Sequence, residues 1–465
     1  MASSKKFVPR PYQQRIIDFI LDHPRCMVWS GMGTGKTAST LTALRYLIDY
    51  EDAGPVLVVA PLRVAKFTWP SEKCQFNSLI SIKVSLVCGS VKERKAALEA
   101  KADIYVTNFE QLPWLVEQLG KAWPFKTVVV DEATRLKGFR LRQGSSRARA
   151  LATVAHRYCK RFIELTGTPA TNGLLDLWGQ AWFIDSGKRL GKSFSEYEMR
   201  FFRPRRVGAE AYAVKWDPLP GSDEAIKKKL SDVSITINAE DWFDIEKPIE
   251  STVWIDLPDD ILSKYNDLRN DFYTAVKNGE IEAANAAVKL GKLLQFSSGA
   301  VYEEDGKGWI PIHDLKIDAL RSVVEEAAGA PVLVAYQYRH ELERILKAFP
   351  QARPLDKKIE TLDAWNMGEI PILVAHPAAC GHGLNLQDGG NILCFFSLGF
   401  NYEYYAQMIE RIGPTRQAQS GHPRPVFIYY LMCRGTEDFA VLNALRKKES
   451  VLDFVLGRAN EQKRN

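Results

Sequence analysis

No two of the seven cysteines form a C-x-x-C pair, and their odd number would leave one over. That argues against both a disulfide framework and a zinc module, and reduced thiols are the natural reading. Cys380 and His382 make a lone C-x-H pair with no second pair nearby, too little for a metal site. No apolar run reaches the ~20 residues needed to span a bilayer. The two lysines near the N-terminus have no apolar segment behind them, so no signal peptide is expected. The expectation is a soluble, intracellular protein with no membrane partner. Glycine (31) and proline (23) sit near background, which excludes collagen-like, disordered and low-complexity classes. A strong charge excess is also missing. The formal net charge is +6, from 62 basic against 56 acidic residues. Such a surplus does not mark a polyanion-binding protein, although it is compatible with positive charge gathered on one face.

What the chain does have is length and alternating apolar runs. At roughly 150 residues per domain, its 465 residues predict about three packed units. Short apolar runs at 26–30, 56–60, 104–107, 127–130 and 161–165 alternate with amphipathic segments, one of them a helix over 37–50. This pattern predicts a parallel sheet covered on both faces. A second series has strands at 332–335, 372–375, 392–396 and 426–430, with helices over 342–349 and 404–411. Between them, 184–310 is richer in charge and aromatics, with helices expected over 262–277 and 280–296. The fold class is therefore α/β.

The sharpest local signal is Ser30-Gly31-Met32-Gly33-Thr34-Gly35-Lys36-Thr37, between a strand and a helix. Backbone N–H groups and a helix N-terminus cradle phosphates in that setting. Gly33, Thr34 and Gly35 would wrap the anion, Lys36 would reach the β- and γ-phosphates of ATP, and Thr37 would hold Mg²⁺. Downstream, three valines lead to Asp131 and Glu132 at the end of a buried strand. Asp131 is placed to hold Mg²⁺, and Glu132 to orient and deprotonate the attacking water.

The ordered set of motifs resembles helicase superfamily two, and within it the Swi/Snf-type ATPases. Arg10-Pro11-Tyr12-Gln13 resembles the family's R-P-Y-Q opening, and the resemblance implies that Gln13 reads the adenine edge. Ala60-Pro61-Leu62 with Trp69, and Thr107-Asn108-Phe109-Glu110, resemble elements that touch nucleic acid, which implies such contacts for Arg63 and Thr107. Leu165-Thr166-Gly167-Thr168-Pro169 is similar to the L-T-G-T-P element. Lys316–Leu320, ahead of the run ending Tyr336-Gln337, resembles the family's lysine helix and L-I-F-S-Q strand. Gly381-His382-Gly383-Leu384-Asn385-Leu386 resembles the G-G-x-G-x-N-L loop, with Gly383 toward the nucleotide and Asn385 toward nucleic acid. Gln407 through Arg411 resembles the Q-A-x-D-R helix, whose arginine reaches the γ-phosphate. Gly435-Thr436-Glu437-Asp438 resembles the late G-T-x-E element.

The resemblance implies two RecA-like lobes, 1–183 and 311–465, with a largely helical insertion, 184–310, between them. Two departures stand out. The acidic box ends in Thr134 where the family has His. Pro414 occupies the place of a second arginine, and proline cannot replace a guanidinium. Arg416, two residues on, is the candidate to take that role. From 135 to 161 the chain carries many Arg and Lys and no acid, which suits phosphate contact with Arg135, Lys137 and Arg140 in the lead. The cluster 200–206 suits nucleic-acid contact and a structural lobe equally.

The expected function is thus a monomeric, nucleic-acid-stimulated ATPase that uses ATP and Mg²⁺ and moves on DNA, duplex and without sequence preference. RNA is the second choice of partner. The compact size resembles phage or bacterial members, which implies the cytoplasm of a bacterium or infected host cell. A strand-separating helicase and a nucleic-acid-binding scaffold with impaired ATPase are the alternatives.

Overall fold

The structure, a computed structural model, describes residues 7–448 apart from 32–33, 63, 71–78, 80, 143, 168, 171–172, 207–213, 238–245, 278–282, 304–307, 357, 381–383 and 423. It divides into two compact units, Met1–Asp244 and Ile245–Asn465.

In the first unit, β1 (Arg25–Ser30), β2 (Val56–Ala60), β3 (Val84–Leu86), β4 (Ile104–Asn108), β5 (Thr127–Asp131), β6 (Arg161–Thr166) and β9 (Ser234–Ile237) form one sheet. β7 (Phe202–Arg206) and β8 (Val214–Pro218) form a separate antiparallel hairpin. The sheet order is β3-β4-β2-β5-β6-β1-β9. Every pairing within it is parallel. Every residue of β2, VLVVA, is buried, because helices cover both faces. Met27, Val128, Val130 and Phe162 point to the face covered by helices Leu112–Leu119, Ser146–Ala155 and Leu177–Asp185. Val28, Val58, Val129 and Ile163 point to the face covered by Pro11–Asp22 and Lys36–Glu51. Since the strands run parallel, the loops after β1, β2, β5 and β6 emerge along one edge of the sheet.

The second unit repeats the plan with β10 (Ile249–Ile255), β13 (Val332–Ala335), β14 (Ala352–Pro354), β15 (Ile372–Ala375), β16 (Ile392–Phe395) and β17 (Phe427–Cys433). β11 (Ala300–Tyr302) and β12 (Trp309–Pro311) form a small hairpin. The sheet order is β10-β17-β16-β13-β15-β14, again all parallel. Buried in this unit, Lys316 Nζ meets Asp438 at 2.8 Å, which joins the lysine helix to the G-T-E-D element. Ser297 Oγ and the Cys433 N–H also donate to Asp438.

The segment 184–310 is not a third compact unit. Its part up to 244 belongs to the first unit, and the rest belongs to the second. It contains the expected helices, Asp259–Lys277 and Ala283–Ser298. It also supplies an edge strand to each sheet, β9 beside β1 and β10 beside β17.

Candidate active site

The phosphate loop is built on the end of β1 and the start of the helix Lys36–Glu51. Gly35 precedes that helix with φ 78° and ψ 29°, a left-handed conformation natural to glycine. A Cβ there would also lie 2.4 Å from Gln13 Nε2 and would displace that amide. Gln13 Nε2 donates to the Thr34 carbonyl at 3.1 Å, and Gln13 Oε1 accepts from the Arg10 N–H at 2.9 Å. Gln13 therefore braces the loop from the start of the first helix. Ser30 Oγ donates to Thr34 Oγ1 at 2.7 Å, and Thr34 Oγ1 to the Gly31 carbonyl at 2.8 Å. Lys36 Nζ points back across the loop, donating to the Ser30 and Gly31 carbonyls at 2.6 and 2.8 Å. Thr37 stands half-buried in the first turn. Met32 and Gly33 lie outside the described residues.

Two strands away, β5 ends in the acid pair. Trp69 Nε1 donates to Asp131 Oδ2 at 2.9 Å. Burial pushes the Asp131 carboxyl up to about 6, and the Glu132 charge adds to this; the Trp69 hydrogen bond and the Lys36 charge pull the other way. A carboxylate whose charged form is disfavoured by burial gains from a nearby cation, which favours that form. Glu132 has φ 66° and ψ 58°, and Thr134 Oγ1 donates to its Oε1 at 2.8 Å. The structure thus brings Lys36, Thr37, Asp131 and Glu132 to one edge of one sheet. Trp69, given no role of its own by the sequence, sits in an element whose strand end is expected to touch nucleic acid, and it is fully buried against Asp131.

In the second unit, the helix Tyr402–Ile412 stops at Gly413, and a short helix Pro414–Gln419 follows with proline in its first turn. A Cβ on Gly413 would lie 3.0 Å from the Ile409 carbonyl. The break re-aims the chain so that Arg411 and Arg416 converge. Each donates through Nη1 to the Leu384 carbonyl at 3.1 Å, and Arg416 also reaches Asn385 Oδ1 at 2.7 Å. Gly381, His382 and Gly383 lie outside the described residues. Asn385 is exposed.

A family model described as the SNF2-related domain matches residues 12–234. "Putative protein p41" of Acyrthosiphon pisum secondary endosymbiont phage 1 is 49% identical over 454 residues, covering 97% of this chain and 98% of that protein. The chain belongs to the SNF2-related family. The SWI/SNF-related matrix-associated actin-dependent regulator of chromatin subfamily A-like protein 1 homolog of Caenorhabditis elegans is 24% identical over 96% of this chain, and the chain spans 61% of it. A solved Sulfolobus solfataricus SWI2/SNF2 ATPase core in complex with dsDNA is 20% identical, over 96% of this chain and 92% of that one, with a TM-score of 0.45.

Within this family's motifs, the chain places its expected nucleic-acid residues unevenly. Thr107 is fully buried and donates to the Val87 carbonyl at 2.8 Å, so its hydroxyl braces the sheet edge and does not face outward. Arg140 also turns inward. Its guanidinium lies 3.2 Å from the centre of the Phe194 ring and donates to the Lys137 and Phe139 carbonyls at 3.0 and 2.6 Å. Arg135 and Arg147 meet Glu110 at 3.6 and 3.0 Å, and Lys137 meets Asp176 at 3.7 Å. The acid-free run in sequence is therefore partly neutralised by acids from other elements. Arg142 and Arg149 remain exposed, without an ion pair among the described residues. Arg63 lies outside those residues. In the cluster 200–206, Arg205 pairs with Asp217 across the β7–β8 hairpin at 2.6 Å. No group of three or more metal-ligating side chains occurs among the described residues, and no helix there is long and apolar enough to cross a membrane.

Proposed function

We propose that this SNF2-related chain hydrolyses ATP with Mg²⁺ and uses the reaction to move along duplex DNA without reading its sequence. The observation that carries this reading is the placing of the Lys36 loop and the Asp131–Glu132 pair on one sheet edge, after β1 and β5. Backbone N–H groups of 34–37 and the Lys36 ammonium would bind the phosphates. Thr37 and Asp131 would hold Mg²⁺, which when bound neutralises charge on the β- and γ-phosphate oxygens. Glu132 would orient the attacking water and take its proton. Arg411 would serve as the arginine finger, and Arg416, sharing the Leu384 carbonyl with it, as the second. Gln13 would meet the adenine edge from its place beneath the loop.

The DNA reading rests on the family and on basic side chains left exposed after the acid box in sequence, Arg142 and Arg149 first, with Arg135 and half-buried Lys137 beside their acidic partners; Asn385, exposed in the second unit, would add a contact of its own. Counterion release from phosphates would supply the affinity. ATP turnover measured with duplex DNA, single-stranded DNA and RNA tests the proposal. Stimulation by duplex DNA is the expected result. Stimulation by RNA alone overturns it, and strand displacement from a tailed duplex favours the unwinding alternative.

A further inference from the structure

Glu132 holds a backbone conformation that a non-glycine residue seldom takes, with φ 66° and ψ 58°. It sits where β5 gives way to the tight turn Ala133–Leu136. That turn is pinned from several sides. The Arg135 N–H donates to the Glu132 carbonyl and the Lys137 N–H to the Thr134 carbonyl, both at 3.1 Å. Gly179 of the helix Leu177–Asp185 lies so close that a Cβ there would sit 2.5 Å from the Leu136 carbonyl and 2.8 Å from that of Lys137. The backbone is fixed, but a glutamate side chain still has three torsions to settle. The carboxylate plane is held in part by Thr134, only 3% exposed, which donates its hydroxyl to Glu132 Oε1 at 2.8 Å. The neighbouring acid has its own neutral donor, Trp69 on Asp131.

We propose that Thr134 is a positioning residue for hydrolysis. It fixes the carboxylate plane of Glu132 so that the group meets the attacking water in the reactive orientation. The inference rests on Glu132 being the group that accepts the water proton. In that step the water oxygen bonds to the γ-phosphorus and its proton passes to Glu132. The bond from the γ-phosphorus to the bridging oxygen breaks, with the electron pair leaving on ADP. Loss of the hydroxyl leaves the carboxylate in place but loosens the restraint on its plane, so the cost falls on turnover and not on binding.

The test uses the full chain, DNA-stimulated steady-state turnover and thermal melting. Thr134→Val keeps the shape and removes the donor. Its expected kcat is about ten- to a hundred-fold lower, with KM for ATP and Tm unchanged. Thr134→Ser, which keeps the donor, should restore kcat to within about threefold. Wild-type kcat in Thr134→Val, beside an inactive Glu132→Gln, overturns the inference and leaves the role of Glu132 standing. A fall in Tm and kcat together that serine does not rescue also overturns it, in favour of a structural role. Full activity in Glu132→Gln overturns the underlying reading instead.

Discussion

Asp131 and Glu132 are adjacent in sequence but meet different partners in space, an indole N–H for one and a hydroxyl for the other. Trp69 gives the first of these a measurable consequence. Burial raises Asp131 to about 6, and the Trp69 hydrogen bond opposes that rise. On the proposed reading, protons would compete with Mg²⁺ for this carboxylate below about pH 6, and the competition would fade as the pH rises. Removing the indole donor in Trp69→Phe pushes the carboxyl further up. The half-saturating Mg²⁺ concentration for turnover should rise at pH 6 and converge with wild type near pH 8. An unmoved acidic limb in Trp69→Phe would count against Asp131 as the metal ligand. Lys36→Ala and Glu132→Gln should each abolish hydrolysis in a phosphate-release assay. For Arg411→Ala, a loss of about 10³-fold in kcat is expected. Arg416→Ala with an unchanged ATPase rate would sink the second-finger assignment.

At the scale of elements, β6 carries an unusual residue. Glu164 is 1% exposed, and neither carboxylate oxygen has a hydrogen-bond partner among the described residues. It lies in register with Met27 of β1 and Val130 of β5. Burial holds its carboxyl well above its ordinary 4.5, which favours the neutral acid in the folded strand. A proton bound more tightly in the folded chain stabilises it fully below the ordinary value, and that contribution falls as the pH climbs above it. Wild type should therefore lose stability relative to Glu164→Gln as pH rises from 5 toward 9, by up to about 1.4 kcal/mol per pH unit, in parallel denaturant titrations. Parallel stability curves for the two proteins would show that the carboxyl is not held neutral.

The central strands were legible because both of their faces are buried. VLVVA, TVVV and the two apolar tetrads of the second unit read as continuous apolar runs, and they fold as β2, β5, β13 and β15. β9 and β10 were not legible for the converse reason. β10 exposes most of its residues, so its sequence lacks the apolar signature of a covered strand. β3 and β14 are three residues each, too short to establish a period.

At the scale of the whole molecule, the relevant quantity is charge. The net +6 by itself marks no polyanion-binding protein, whereas the acid-free basic run invited a DNA-binding reading. In the folded chain, Arg135, Lys137, Arg140 and Arg147 all have partners, while Arg142 and Arg149 have no ion pair among the described residues. Replacing Arg142 and Arg149 by alanine should weaken duplex DNA binding and reduce the slope of log affinity against log salt by about 1 to 2. Arg140→Ala should instead lower Tm, because it removes a guanidinium packed on an aromatic ring and bonded to two carbonyls. A binding defect in Arg140→Ala with an unchanged Tm would contradict that assignment.

The sequence by itself determined the features set by local pattern: two series of buried strands, the phosphate loop between a strand and a helix, and the acid pair at a strand end. Each is a matter of periodicity or of glycine placement within a few residues, and such signals survive without knowledge of distant neighbours. Only the tertiary structure decided which side chains have partners. Trp69 and Asp131 are 62 positions apart, as Arg416 and Leu384 are 32 apart. Whether a tryptophan supports a carboxylate, or a glutamate neutralises an arginine, depends on which strand ends the fold sets side by side. Contacts of that range leave no period in the sequence that would announce them.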